Sequence, residues 1–394
     1  IMLEVREARR VILQHAHPLT PDLTPISTAA FGHVLGESVV SDLDMPPFDK
    51  ALMDGYAVRT ADTGERIVIE EVAAGQTPTR PLGPGQATRV MTGAPLPEGA
   101  DCVIPHEQTT LHGDRLTLNV GLIPERFLLR RASEYAVGQE VLPAGSVLTP
   151  QAIGVLAAVG KTAVRLISPP RVAVIATGDE LVEPPLLPRE GQLRNSNAPM
   201  LMALTHRAGG MPFYLGIGRD SLDSLRPLIA EALQTSAIVI LTGGVSAGKR
   251  DLVPEALASL GVTTHFHQIA MKPGKPLLFG TKQQKLVFGL PGNPVSSFVC
   301  FELFLRPALR KRGGFTDLDL PHRSMPLAVD FTHESDRPTY YPARIEGDSV
   351  LPLPFQGSAS LSCLLPANAL LELPAGTVRL AAGTTVPTHL LGAG

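Results

Sequence analysis

The sequence predicts a multidomain protein of α/β and β class. A central α/β domain on a parallel sheet is accompanied by an N-terminal helical and linker part, a small β domain and a C-terminal β domain. Three observations predict it. Gly and Pro together supply 74 of 394 residues, which implies many tight turns and short strands rather than a helical bundle. Between 171 and 316, apolar runs ending in glycine-rich turns alternate with helical stretches of roughly 10–15 residues, the pattern of βαβ units. Elsewhere, short β-like runs are separated by proline-rich turns.

In chain order, VREARRVILQHA (5–16) has helical periodicity, and STAAFGHVLGES, opening on a Ser/Thr cap, reads as a second helix. The prolines of SDLDMPPFDK end that pattern. From 44 to 138, RIVIEEV, DRLTLNV and the turns GQTP, PLGPGQ and PLPEGAD describe a small β domain. Residues 141–160 read as a turn and an apolar helix. RVAVIATGDEL then opens the α/β pattern, continued by NAPMLMALTHRAG, FYLGIGRD, SLDSLRPLIAEALQ, AIVILTGGVSAGKRD and DLVPEALASLG. From 317 onward DLPHRSMP, DRPTYYPARI and LPLPF predict a β domain. The expected division is 1–43 with 139–168, 44–138, 169–316 and 317–394.

Composition excludes several classes. No apolar run approaches the ~18 residues of a membrane helix; the longest candidate, IGVLAAVG, stops at Lys161. The opening residues mix acids and bases, so no signal peptide is expected and the cytoplasm is the default. Cys102, Cys300 and Cys363 make neither a disulfide framework nor a metal clip. A net charge of −3 argues against general nucleic-acid binding. Residues 169–316 nevertheless carry 16 Lys and Arg against 10 Asp and Glu, while the remainder carries 18 against 27. A basic segment in an acidic chain suits an anionic small ligand.

The candidate chemistry sits at the carboxyl ends of the expected strands, where open α/β sheets bind ligands. TGGVSAGKRD reproduces the phosphate-loop spacing from Gly243 to Gly248 and Lys249. Arg250 stands where a nucleotide hydrolase needs a Ser or Thr for magnesium. A glycine turn cradling an oxyanion, with Gly243, Gly244, Ser246 and Gly248, survives that departure. Asp251 is either a helix cap or a ligand contact. Lys272 and Lys275 flank Pro-Gly and would converge on one anion. GLPGNPVSSF brackets Gly292 and Asn293 with Pro291 and Pro294, and sets Ser296 near a helix start. Asp179 and Glu180 are adjacent carboxylates at a strand end, suited to magnesium or a ligand donor. Asp54 in MDGYA and the MTGAPLPEGAD loop carry little by themselves.

Taken together, FDKALMDGYAV, MTGAPLP, TGDEL, NSN, GGVSAGKRD, KPGKP and LPGNPVSSF resemble the molybdopterin molybdenumtransferase family, which includes the C-terminal region of gephyrin. The resemblance runs from the N-terminal helices to QGSAS at 356–360. It implies an enzyme of molybdenum cofactor biosynthesis that inserts molybdenum from molybdate into adenylylated molybdopterin and releases AMP. It further implies that Asp54, Thr92, Glu134, Glu180, Asp220 and Asp251 line the site, with magnesium on Asp54, Glu134, Glu180 and Asp251. Gly243, Gly244, Ser246, Gly248, Lys272, Lys275, Pro291, Asn293, Pro294 and Ser296 would bind substrate. Arg337, Arg344 and Ser358 match positions near a molybdate site. The family implies a homodimer whose cleft pairs the α/β domain of one subunit with the β domain of the other, and the upstream adenylyltransferase as a partner. Three positions depart from its pattern: Glu134 in place of Asp, Ala51 in place of Ser, and Gln268 where some members carry Lys.

Overall fold

The computed structural model describes residues 2–244, 252–355 and 357–392. The chain forms two compact units, one of residues 1–36, 145–149 and 163–394 and one of residues 37–144 and 150–162.

The first unit is organised by a six-stranded sheet in the order Met211–Gly218, Arg171–Thr177, Ile238–Thr242, Lys285–Leu290, Leu278–Lys282, Thr263–Phe266. The first four strands run parallel. Leu278–Lys282 runs opposite to them and Thr263–Phe266 is antiparallel to that strand in turn, so the sheet is mixed rather than purely parallel. The cause is local: Gln283 and Gln284 close a two-residue hairpin, and Gln283 takes φ 55°, the left-handed conformation such turns use.

Strand residues alternate between two buried faces, which is why RVAVIAT is apolar throughout. Val172, Val174 and Ala176 pack with Ala8 and Ile12 of the helix Val5–His15 and with Ala198 and Leu201 of Asn197–Arg207. Ala173 and Ile175 pack with Leu225 and Ile229 of Leu222–Thr235 and with Val253 and Leu257 of Val253–Ser259. Ser221 caps the first of these, accepting from the Ser224 amide.

The predicted second N-terminal helix does not form. Ser27 does cap, accepting from the Ala29 amide, but only over the turn Thr28–Ala30. Gly32, at φ 79°, stops propagation, and Val34–Leu35 instead pairs with Ala163–Ile167, as does Asp22–Pro25 on its other edge. Gly36 is required there, because a Cβ would lie 2.3 Å from the Pro21 ring.

The C-terminal segment of the same unit is mainly β, with one 3-10 turn at Leu361–Leu364. A five-stranded antiparallel sheet has the order His322–Pro326, Thr385–Leu390, Ala369–Leu373, Thr339–Glu346, Ser349–Pro352. Its own core includes Met325, Ala343, Val350 and Leu371. An isolated bridge from Lys272 to Thr339 and a Val295 amide bond to the Ser358 carbonyl join it to the α/β part.

The second unit holds a six-stranded sheet, Cys102–Pro105, Gly55–Val58, Gln86–Val90, Arg66–Val72, Arg115–Leu118, Thr109–His112, together with the apolar helix Pro150–Ala158. Gly55 lies so close to the neighbouring strand that a Cβ would stand 2.0 Å from the Ile104 carbonyl oxygen.

Candidate active site

Four parallel strands end together, and the turns that follow Thr177, Thr242 and Leu290 form a cleft of about 470 Å³. Its walls include Thr177, Glu180, Asn195, Asn197, Gly243 and Asn293. Gly243 (φ 97°) and Gly244 (φ 60°) are needed because of Thr177: a Cβ on Gly243 would sit 2.4 Å from the Thr177 carbonyl oxygen. The first two glycines of TGGVSAGKRD are thus described. Ser246, Gly248 and Asp251, assigned from sequence, lie outside the described residues.

Asn197, at the start of its helix, ties the turns together. Its Nδ2 donates to Thr242 Oγ1 at 2.9 Å and to the Gly292 carbonyl at 2.7 Å. The Thr242 hydroxyl donates in turn to the Pro291 carbonyl at 3.2 Å, and Ser297 Oγ donates to the same carbonyl at 2.5 Å. Asn197 Oδ1 is buried, has no hydrogen-bond partner among the described residues and belongs to a cleft-wall residue. Such an acceptor is costly unless a ligand donor meets it.

The TGDEL turn is held by Arg219, whose Nη1 lies 3.3, 3.2 and 3.0 Å from the carbonyl oxygens of Gly178, Asp179 and Leu181. Asp179 Oδ1 accepts from the Asp220 amide at 3.1 Å; Asp220 is exposed and lines neither hollow. Asp179 is therefore engaged locally, while the exposed Glu180 faces the cleft. Its carboxylate folds over Gly178, where a Cβ would meet Glu180 Oε2 at 2.4 Å. Asn195 Nδ2 donates to the Tyr214 hydroxyl, which donates to Glu183 Oε1 at 2.8 Å. Burial, then that carboxylate, pushes the Tyr214 pKa up and keeps the phenol protonated.

A second hollow of about 390 Å³ shares Asn293 with the first. It gathers Lys272, Lys275, Pro291, Ser296, Arg337 and Ser358, residues far apart in sequence. Asn293 Nδ2 donates to Ser358 Oγ at 2.9 Å, and Arg337 Nη1 donates to the Met271 carbonyl at 3.3 Å. Gly274 permits the tight Lys-Pro-Gly-Lys turn: at φ 107°, a Cβ would lie 2.6 Å from Cys300 Sγ. Three cations on one wall make this the electropositive end of the groove. Pro294, on the wall of the larger cleft, completes the turn between the two hollows.

Arg344 is not brought to either hollow; it is exposed on its strand and paired with Glu346. Gln268 lines neither hollow; its carbonyl accepts from the Leu3 amide at 3.1 Å.

The remaining assigned residues belong to the second unit. Asp54 Oδ1 accepts from the Thr92 amide at 2.6 Å and from Thr92 Oγ1 at 2.7 Å. These bonds, the hydroxyl first, hold its carboxyl below the usual carboxylate range, so exposed Asp54 stays ionised. Glu134 is exposed in a turn where its amide donates to the Met45 carbonyl at 2.9 Å. Ala51 is 1% exposed in that unit's core, so the absent hydroxyl would have been buried.

Magnesium takes oxygen ligands and is held by one or two carboxylates plus substrate phosphates rather than by an all-protein cage. Among the described residues no three His, Cys, Asp or Glu side chains group for a metal, but Glu180 offers a suitable carboxylate at the cleft.

Asn195, Asn197 and Arg219 escaped assignment from sequence; NSN at a helix start was the available signal for the two asparagines, and Arg219 had none. The fold and groove define a multidomain protein built around a ligand-binding α/β domain with an electropositive pocket. Family models match residues 3–160 as the MoeA N-terminal region (domain I and II), 173–311 as a probable molybdopterin binding domain, and 324–391 as the MoeA C-terminal region (domain IV). The chain is 34% identical over 397 residues to molybdopterin molybdenumtransferase of Staphylococcus aureus strain Mu50, covering 98% of this chain and 94% of that protein. It is also 34% identical over 398 residues to molybdopterin molybdenumtransferase 2 of Mycobacterium tuberculosis strain H37Rv, covering 97% and 98%. The crystal structure of the molybdopterin biosynthesis MoeA protein from Pyrococcus horikoshii OT3 superposes with a TM-score of 0.85 at 30% identity, covering 99% of this chain and 100% of that one. The chain belongs to the molybdopterin molybdenumtransferase family.

Proposed function

We propose that the protein is a transferase of molybdenum cofactor biosynthesis, inserting molybdenum from molybdate into adenylylated molybdopterin with release of AMP. The observation that carries this reading is the pair of hollows that share Asn293, one with a carboxylate and buried amides and the other with Lys272, Lys275 and Arg337. Such a groove suits a long ligand with a polar ring system and a phosphorylated linkage. The lysines and Arg337 bind the anionic portion by charge-assisted hydrogen bonds. Asn197 Oδ1 accepts from an N–H donor of the bound ligand. Asn293, fixed by Ser358, orients the segment between them.

Magnesium would be held by Glu180 and Asp251 together with the ligand's phosphate oxygens, with Asp54 and Glu134 as the other assigned ligands. There it would supply charge neutralisation of the pyrophosphate. Arg337, Arg344 and Ser358 are the residues we assign to molybdate, Arg344 being the one the groove does not explain. The four-part domain division, the homodimer, the adenylyltransferase as a partner and a cytoplasmic location belong to the same reading. Among the described residues no helix is long and apolar enough to cross a membrane.

The test is a mass spectrum of small molecules released on denaturing purified Glu180→Gln protein that has been offered adenylylated molybdopterin. The intact adenylylated pterin should be recovered in stoichiometric amount. Failure of both this variant and the native protein to retain any pterin would overturn the reading. Mixing Asp54→Ala with Glu180→Ala subunits tests the dimer, since partial recovery of activity requires two subunits.

A further inference from the structure

The strands Arg171–Thr177, Ile238–Thr242 and Lys285–Leu290 start at the end of the sheet away from the groove, roughly 20 Å from it at about 3.3 Å per residue. A cavity of about 620 Å³ opens there. Arg171, Lys285 and Arg312 line it, with Ser168, Gln234 and Gln284; among the described residues on its walls none is acidic. Each cation is anchored by a neutral carbonyl. Arg171 Nε donates to Thr235 O at 3.0 Å, Lys285 Nζ to Ser236 O at 2.7 Å, and Arg312 Nη1 to His17 O at 2.8 Å.

A structural role explains part of this. Thr235 and Ser236 end the helix Leu222–Thr235, and cations are favourable at a helix C-terminus. That terminus carries the equivalent of about half a negative charge, so it does not balance three whole cations. Arg312 adds a second sign of incompleteness. It is only 3% exposed, and its Nε has no hydrogen-bond partner among the described residues. Burial, then the charge of Arg312, depresses the Lys285 pKa, as expected for cations gathered without a counter-ion.

We propose that this cavity is a second ligand site that takes a tetrahedral oxyanion dianion, separate from the substrate groove. The three cations on its wall carry N–H donors beyond those given to the carbonyls, and the cavity has room for the anion and its remaining water. Inorganic phosphate and molybdate share this chemistry, and competition between them identifies the occupant.

Calorimetry in phosphate-free, low-salt buffer compares the native protein with Arg171→Gln/Lys285→Gln. A Lys275→Ala background weakens the groove's anion end in both, leaving Lys272 and Arg337 as its cations. Inorganic phosphate should bind with one-to-one stoichiometry, and the double substitution should weaken it at least ten-fold. Equal binding with and without the double substitution, or none in the Lys275→Ala background, would overturn the proposal. AMP release by Arg171→Gln/Lys285→Gln protein that retains Lys275, without added phosphate, should match the native rate, which separates this site from the substrate groove. A measurement on native protein avoids dependence on variant folding. A crystal soaked in molybdate should show an anomalous peak within hydrogen-bond reach of Arg171 and Lys285, and a cavity without one would refute the site.

Discussion

Replacing Asn197 by Leu keeps the side-chain size while removing the donor that holds two turns of the groove together. The loss can be worked through bond by bond. Thr242 Oγ1 retains its bond to the Pro291 carbonyl, so it is not orphaned. The Gly292 carbonyl loses its 2.7 Å donor. An orphaned acceptor costs about 1–3 kcal/mol, and the partner-free Asn197 Oδ1 disappears at the same time, which offsets a part. A net destabilisation of about 1 kcal/mol is expected, equivalent to roughly 2–4 °C in Tm for a domain of this size. Because the released segment contains Asn293, substrate affinity should fall at least ten-fold, about 1.4 kcal/mol. Differential scanning calorimetry and titration calorimetry with adenylylated molybdopterin read the two effects. A variant with native Tm and native affinity would refute the reasoning, because the buried amide would then neither brace the turns nor meet the ligand.

Three further outcomes are expected. Lys275→Ala should weaken binding of adenylylated molybdopterin by roughly ten-fold, with the difference shrinking as salt is raised; equal affinities at low salt would remove Lys275 from the pocket. Thr92→Val deletes the largest influence keeping Asp54 ionised, so the acidic limb of the pH–activity profile should move to higher pH. Carboxyl-carbon NMR titration of Asp54 checks the sign directly, and an unmoved titration would contradict the role given to the hydroxyl. Gly55→Ala forces a Cβ against the Ile104 carbonyl and should open the second unit's sheet, seen as rapid proteolytic cleavage within residues 37–144.

The α/β core was legible because each of its signals is local. RVAVIAT and AIVILT are short apolar runs bounded by glycine turns, and the intervening helices carry periodic apolar faces. Strand direction was less legible: the expectation was a parallel sheet, but the two-residue turn at Gln283 and Gln284 makes residues 278–290 a hairpin. The strand Asp22–Pro25 was missed because its partner, Ala163–Ile167, is remote in sequence. At the site, Lys272, Lys275 and the LPGNP turn announced themselves by composition, and the fold brings them to one hollow. Asn197 did not, since an asparagine at a helix start reads as a cap. Its function depends on the Thr242 and Gly292 turns, which only the folded sheet brings to it. Arg219 was overlooked similarly, because carbonyl groups leave no mark in a sequence.

The most direct test of the account is molybdate-dependent AMP release from adenylylated molybdopterin by the purified protein, measured beside metal incorporation into the pterin. The native protein should release one AMP for each molybdenum incorporated, and should release little without molybdate. Glu180→Gln should hold the substrate while its release rate falls by about a hundred-fold, roughly 2.7 kcal/mol in barrier. AMP formation without metal incorporation, or an unchanged rate in Glu180→Gln, would contradict the assignment of the groove and of its carboxylate.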